Sequence, residues 1–427
     1  MTTSAWRQAL RRATKQIWFR AAVISLFGFL LAGLSGLFAR RIPYEFQMDL
    51  GQDAVGTILE IIASSMLAVT TFSLTAMVSA YGSATQLATP RATQLMMSDP
   101  TSQNALSTFL GAFVFSVVGI VGLQTGIYGG QGRVVLFLGT IVLIAVVVLT
   151  LLRWISHITA FGRMADVIDR VEKAACRSME QFAADPRLGG RPAIAVPDHA
   201  VPVFARKSGN VTYIDIAALG RITEDCGTVV HVAALPGTMV HPARPLAFVE
   251  MAVDDELRDK IAEAFTIGRH RSFDDDPRLG LIALSEIASR ALAPATNDPG
   301  TAVEVLNALL RTFLHLPADE PDADDKPLPR VYVPRPTVEE MLDDAFLPII
   351  REGFGEQEVA VRTIKTLTAI RDALPFTAAP IRRLTGIIGE AIDRDQKSAI
   401  LQDRIRVKLQ ALVSPSTPPA PGSPGNT

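Results

Sequence analysis

Three long apolar runs follow one another between residues 58 and 152 with almost no charge between them. An earlier run covers 21–39, so the N-terminal third reads as a membrane bundle from which the remainder hangs. From Ala21 to Leu152 the ionisable side chains other than tyrosine are Arg40, Arg41, Glu45, Asp49, Asp53, Glu60, Arg91, Asp99 and Arg133. Most of the remaining charge follows Leu152. That segregation is how a positive mean hydropathy of +0.27 coexists with 20% charged residues.

A helix needs about 20 apolar residues to cross a hydrocarbon core of about 30 Å. Ala21–Ala39, Ile61–Tyr81, Ala105–Thr125 and Val134–Leu152 meet that length, which predicts a bundle of four transmembrane helices. Residues 1–20 carry Arg7, Arg11, Arg12, Lys15 and Arg20 among Trp6, Trp18 and Phe19, a basic amphipathic lead-in of the kind found at headgroup depth. The first run ends in Phe38-Ala39-Arg40-Arg41 without a small-residue cleavage site, so it reads as an uncleaved span. Basic residues before the first span, with Arg91, Arg153, Arg163 and Arg170, outweigh Arg40, Arg41 and Arg133 on the opposite side. The positive-inside rule then puts both termini and the large C-terminal part in the cytoplasm.

Gly28, Ala32 and Gly36 recur every four residues in the first run and permit close helix approach. In the second, Ser64, Thr71 and Thr75 share one helical face with Ala68. Two readings compete for them: helix packing with hydroxyls bonded back one turn, or the lining of a polar path. The stretch from Gly82 to Asn104 reads as an interfacial helix, in which Gln86, Pro90 and Arg91 mark the membrane edge. There Arg91 would reach lipid phosphate or serve as a docking point. His157 sits at the membrane end of the connecting segment 153–205 and reads as an interfacial residue.

From 206 to 250 the period becomes strand-like around Val211, Val229-Val230, Met239-Val240 and Ala247-Phe248-Val249, with Pro236-Gly237 as a turn. This predicts a small β-barrel within a cytoplasmic α+β region, and the order resembles half of a biotinyl or lipoyl barrel. The lysine that such carriers modify has no counterpart here. His231 and His241 lack a third placed ligand, so no metal is expected.

The signature region, 251–316, holds Arg269 and Arg271, an acidic trio Asp274–Asp276, a helix over 279–292, and a second helix that Asn297-Asp298-Pro299 starts. Exposed amides at that helix start, with Arg269, Arg271, Arg290, Asn297, Asp298 and Thr301, form a candidate site for a small anionic ligand. Capping alone accounts for Asn-Asp-Pro equally simply. Residues 317–336 read as a linker, 337–412 as a helical bundle and 413–427 as a disordered tail rich in proline.

The run Arg290-Ala291-Leu292-Ala293-Pro294 through Asn297-Asp298-Pro299, with Gln86 to Arg91 and Pro236-Gly237, resembles a family of predicted bacterial membrane proteins carrying a domain of unknown function. That family's hallmark has serine where Ala293 stands and a bulkier residue where Gly300 stands. The resemblance implies a multi-pass protein of the bacterial inner membrane and brings no activity.

The near-neutral charge of -2 argues against nucleic acid as a partner, and Cys176 and Cys226 suggest neither a disulfide framework nor a metal knuckle. Phosphate-loop, dinucleotide-fold, nucleophile-elbow and zinc-protease motifs are absent, so neither catalytic residues nor cofactors are expected. The reading that remains is a membrane homo-oligomer in the lipid bilayer, channel-like, with a cytoplasmic sensing or gating part. A membrane-anchored scaffold or sensor that binds an anionic ligand in its cytoplasmic part is the alternative, and a membrane-bound enzyme acting on a phosphate ligand is the third.

Overall fold

The computed structural model describes Leu26 and residues 52–413, apart from 88, 98, 126–129, 161–162, 253, 318–329 and 397. The basic segment 1–20, the first expected span other than Leu26, and the tail beyond Val413 lie outside the described residues. The chain divides into two units, residues 1–167 and 168–427.

The first unit contains α1 (Gln52–Leu87), α2 (Pro90–Met97), α3 (Pro100–Gln124) and α4 (Gly130–Ala160). Three stretches, Ala54–Gly82, Pro100–Gln124 and Gly132–Thr159, are long and apolar enough to cross a membrane. A helix satisfies its own backbone there, which is why uninterrupted apolar runs adopt it. Half of the α3 span is buried against its neighbours, compared with 22% for α1 and 17% for α4, so α3 is the central helix. Leu59, Phe115 and Leu136 make one apolar cluster, where Gly119 leaves room for Leu59 and Leu136. Met66, Met77, Phe109, Val147 and Trp154 make another.

α1 starts nine residues before the expected span at Ile61, carrying Glu60 within the apolar stretch. At its other end, α2 and α3 each begin with a proline, where a missing amide costs nothing. The stretch 82–104, expected as one interfacial helix, is divided: residues 82–87 end α1, α2 stands between, and 100–104 open α3.

The second unit begins with the greater part of α5 (Met164–Ala184) and continues through β1 (Arg191–Pro192), β2 (Val201–Phe204), β3 (Gly209–Ile214), α6 (Ile216–Cys226), β4 (Val230–Val232), β5 (Met239–Val240), β6 (Pro245–Val249), α7 (Asp255–Glu263) and β7 (Phe265–Gly268). It closes with α8 (Pro277–Ala291), α9 (Pro299–Phe313), β8 (Val331–Val333), α10 (Val338–Gly353), α11 (Gln357–Ala373), α12 (Ala378–Asp395) and α13 (Ala399–Val413).

The strands of 206–250 do not close into a barrel. They divide between two open sheets, one ordered β1-β8-β4-β6-β2 and the other β5-β3-β7. The reason is the partner of β4: Val230 pairs in parallel with Val331, so β8, from within the stretch read as linker, takes the edge that closure would have needed. Val203, Val230, Val232, Ala247, Val249, Val331 and Val333 turn to one face, where α6, α7 and the smaller sheet add Leu219, Ile261, Val211 and Phe265. Strand alternation sends the other side chains to the opposite face.

The helices pack through α8. Gly280 meets Ala175 of α5 so closely that an added Cβ would lie 2.4 Å from the Ala175 Cβ. Arg278 Nε donates to Asp344 Oδ2 at 2.6 Å and its Nη1 to Glu340 Oε1 at 2.9 Å, tying α8 to α10. A reciprocal Thr337–Glu340 capping box fixes the start of α10.

Candidate functional site

The residues expected to bind an anion are engaged in two separate places. Asp276 caps α8 by accepting from the Arg278 and Leu279 amides, both at 3.2 Å. Arg271 donates to the same carboxylate through Nε at 2.7 Å and Nη2 at 3.0 Å. The pair is largely shielded, with Asp276 2% and Arg271 22% exposed, so Arg271 serves the fold. The turn at Pro236-Gly237 lies directly over it. Gly237 has φ +91°, and an added Cβ would lie 2.4 Å from Asp276 Oδ2.

The second place is the start of α9. Asp298 Oδ1 accepts from the Thr301 amide at 3.1 Å, and Thr301 Oγ1 donates to Asp298 Oδ2 at 2.6 Å. The Thr301 hydroxyl, then its amide, hold the Asp298 carboxyl below the usual aspartate range. The amide that an anion would seek is thus already answered by the chain's own carboxylate. Asn297 takes a left-handed backbone with φ 47°, and the Asp298 amide returns to the Ala291 carbonyl at 2.8 Å, folding the turn back on α8. Pro294 to Asp298, Arg269 and Arg290 are exposed. The acidic trio splits in role: Asp274 is exposed, Asp276 caps, and burial pushes the Asp275 carboxyl up, with the Asp274 charge adding to it.

In the first unit, Ser64 Oγ donates to the Glu60 carbonyl at 2.9 Å, Thr71 Oγ1 to Leu67 at 3.0 Å and Thr75 Oγ1 to Thr71 at 3.0 Å. All three are exposed, on the side of α1 turned away from α3. Glu60 is exposed on the same strip, one turn before Ser64. Gln86 lies on the last turn of α1 with its side chain outside the described ones, while Pro90 and Arg91 are exposed at the start of α2.

Sequence reasoning missed a buried polar cluster in this unit. Asp99 caps α3 through the Ser102 amide at 2.7 Å and meets His157 Nε2 at 2.9 Å, with Asp99 3% and His157 17% exposed. Trp154 packs its ring 6.1 Å from His157. The available signal was Asp99-Pro100, a cap followed by a proline. Its partner, fifty-eight residues away, carried none.

A second missed cluster lies on the outer face of the five-stranded sheet. His231 Nε2 is 2.7 Å from Glu250 Oε1, and its ring stacks on Tyr332 with centroids 5.2 Å apart and planes at 15°. Its Nδ1 is shielded from solvent without a hydrogen-bond partner, which costs about 1–3 kcal/mol where nothing else compensates. His241 instead uses Nδ1 to accept from the Ala243 amide at 3.2 Å. The two histidines are engaged separately, and among the described residues no cluster of three or more metal-ligating side chains occurs. Cys176 is half-buried beside Thr312 at 3.6 Å, and burial pushes its thiol up, the opposite of an activated nucleophile.

The family described as predicted membrane protein (DUF2254) matches residues 14–369. The chain belongs to this family. Three uncharacterised proteins, two of Mycobacterium tuberculosis and one of Mycobacterium bovis, are each 24% identical over 303 residues, which cover 66% of this chain. The match spans 56% of the length of each of those relatives. No solved structure matches. Membership makes this a predicted membrane protein, and the three apolar helices agree with it.

Proposed function

We propose that the protein is a channel-like homo-oligomer of the bacterial inner membrane. With both termini in the cytoplasm, as the charge pattern implies, the unit from Ile168 onward is the part that senses or gates. The observation that carries this reading is the exposed strip on α1, where Glu60, Ser64, Thr71 and Thr75 follow one another along the side turned away from α3. Hydroxyls satisfied within their own helix are inexpensive to leave against lipid, but a carboxylate is not. A polar strip facing other copies around a central path gives Glu60 and the hydroxyls an aqueous or interhelical setting, and a ring of carboxylates at one mouth favours cations.

The test is proximity between copies. In a background with Cys176 and Cys226 replaced by Ser, Thr71→Cys and Thr75→Cys should cross-link between copies in native membranes. Cysteine in place of Phe72, exposed beside the strip, should cross-link far less. Equal cross-linking of all three, or of none, contradicts the arrangement.

A second reading, a membrane-anchored sensor without permeation, uses the same C-terminal unit. The His231–Glu250–Tyr332 cluster on its five-stranded sheet favours it.

A further inference from the structure

Polar groups gather at one end of the helical bundle in the first unit. Asp99 caps α3 through the Ser102 amide at 2.7 Å, and its Oδ2 lies 2.9 Å from His157 Nε2 near the end of α4. Trp154, one turn before His157, holds its ring 6.1 Å from the imidazole with the planes at 38°. Three shielded polar atoms at this end lack a hydrogen-bond partner: Ser102 Oγ, Trp154 Nε1 and, on α1, Ser73 Oγ. Leu59 of α1 meets Gly119 of α3, and fourteen residues along each helix, in opposite directions, Ser73 comes level with Ala105, one turn inside Ser102. Ala105 and Trp154 share one apolar cluster. Buried polar atoms are seldom left unmatched, so three at one level are unused hydrogen-bonding capacity beside a titratable pair.

Little other charge shares that end. α1 brings Tyr81, whose hydroxyl donates to the Met96 carbonyl at 3.2 Å, while its Asp53 and Glu60 lie about 30 Å or more back along the helix. α2 brings Arg91, which is exposed, and α3 carries no charged residue beyond its Asp99 cap. α4 adds Arg153, exposed, with Arg133 at its far start, and Arg163 and Asp166 follow it.

We propose that Asp99 and His157 form a proton-binding switch that sets how firmly the start of α3 is held to the end of α4. Histidine is the side chain whose ordinary charge change falls between about pH 5 and 8. In the charged form an imidazolium faces a carboxylate, and Coulomb attraction adds to the hydrogen bond in a setting shielded from water. In the neutral form the hydrogen bond alone remains, and the seam is looser. Asp99 is 3% exposed and His157 17%, so protons reach the pair through the imidazole. Loosening lets the Ser102 hydroxyl and the Trp154 indole take the partners they lack in the closed arrangement. On the orientation proposed above, this end of the bundle faces the cytoplasm and the signal is cytoplasmic acidity. The clamp itself does not depend on a pore.

The test is the emission of Trp154 in the full-length protein in detergent, with Trp6→Phe and Trp18→Phe removing the other tryptophans. An imidazolium beside an indole quenches its emission, so the native pair should lose intensity as the pH is taken from about 8 to about 5. His157→Gln should abolish that change. Melting followed by the same emission reads the clamp. Asp99→Asn keeps the cap and removes the charge, so it should lower the melting midpoint at about pH 5 and lower it far less at about pH 8. Emission that ignores pH, or a response that survives His157→Gln, overturns the proposal. Equal losses from Asp99→Asn at the two pH values, or none at either, overturn it as well. Cross-linking along α1 and ion flux are read separately, so failure of the pore leaves this result standing, and failure here leaves the pore.

Discussion

Arg271 grips Asp276 with two guanidinium nitrogens, at 2.7 and 3.0 Å, while that same carboxylate caps α8. One buried carboxylate therefore serves the helix start, the preceding loop and the Pro236-Gly237 turn above it. Asp276→Ala should cost about 3 kcal/mol, because it removes the cap and strands a shielded cation. Gly237→Ala should cost about 1–3 kcal/mol through its positive φ and the clash with Asp276. Asp274→Ala, exposed beside them, should stay within about 0.5 kcal/mol. Thermal unfolding of the three variants checks the order.

Asp298 predicts an acid limb. Its folded carboxyl lies below the usual aspartate value of 3.8, chiefly through the Thr301 hydroxyl. Its contribution is therefore present above that value and is lost as the pH falls through the lower folded one. Thr301→Val should move the Asp298 titration, followed by carbon-detected NMR, up toward the usual range. An unchanged midpoint would contradict the bond.

Asp275 predicts the reverse sign. Burial raises its carboxyl, so ionisation costs the folded state stability as the pH rises above the unfolded value. Asp275→Asn should raise the melting temperature at neutral pH and give no gain below the usual aspartate range. A loss at neutral pH would mean that the charge is used.

In the first unit, Asp99 and His157 hold the start of α3 to the end of α4 at 2.9 Å. A double-mutant cycle of Asp99→Ala and His157→Ala should show a coupling of about 0.5–3 kcal/mol. Additive losses would reduce Asp99 to a cap alone.

These relationships mark where the sequence stops being informative. The apolar runs of α1, α3 and α4 were legible because a membrane helix depends on local composition, and Pro299 after Asp298 was legible because a cap is local. One boundary was less legible: the expected span began at Ile61, just after Glu60, yet Glu60 lies inside α1. The barrel was misread because β4 finds its neighbour in β8, far along the chain, and no local pattern announces a parallel partner. Arg271 looked available to a ligand for the same kind of reason. Its commitment to Asp276 and the approach of Gly237 exist only once the turn has folded over them. The cluster of His231, Glu250 and Tyr332 is likewise drawn from residues scattered in sequence.

The most direct test of the central claim is ion flux into liposomes holding the purified protein, with Thr71→Trp prepared in parallel. The account predicts cation flux for the native chain in a symmetric oligomer, and loss of that flux without loss of assembly when a bulky ring enters the α1 strip. A monomer with no flux, or flux that Thr71→Trp leaves unchanged, would contradict it.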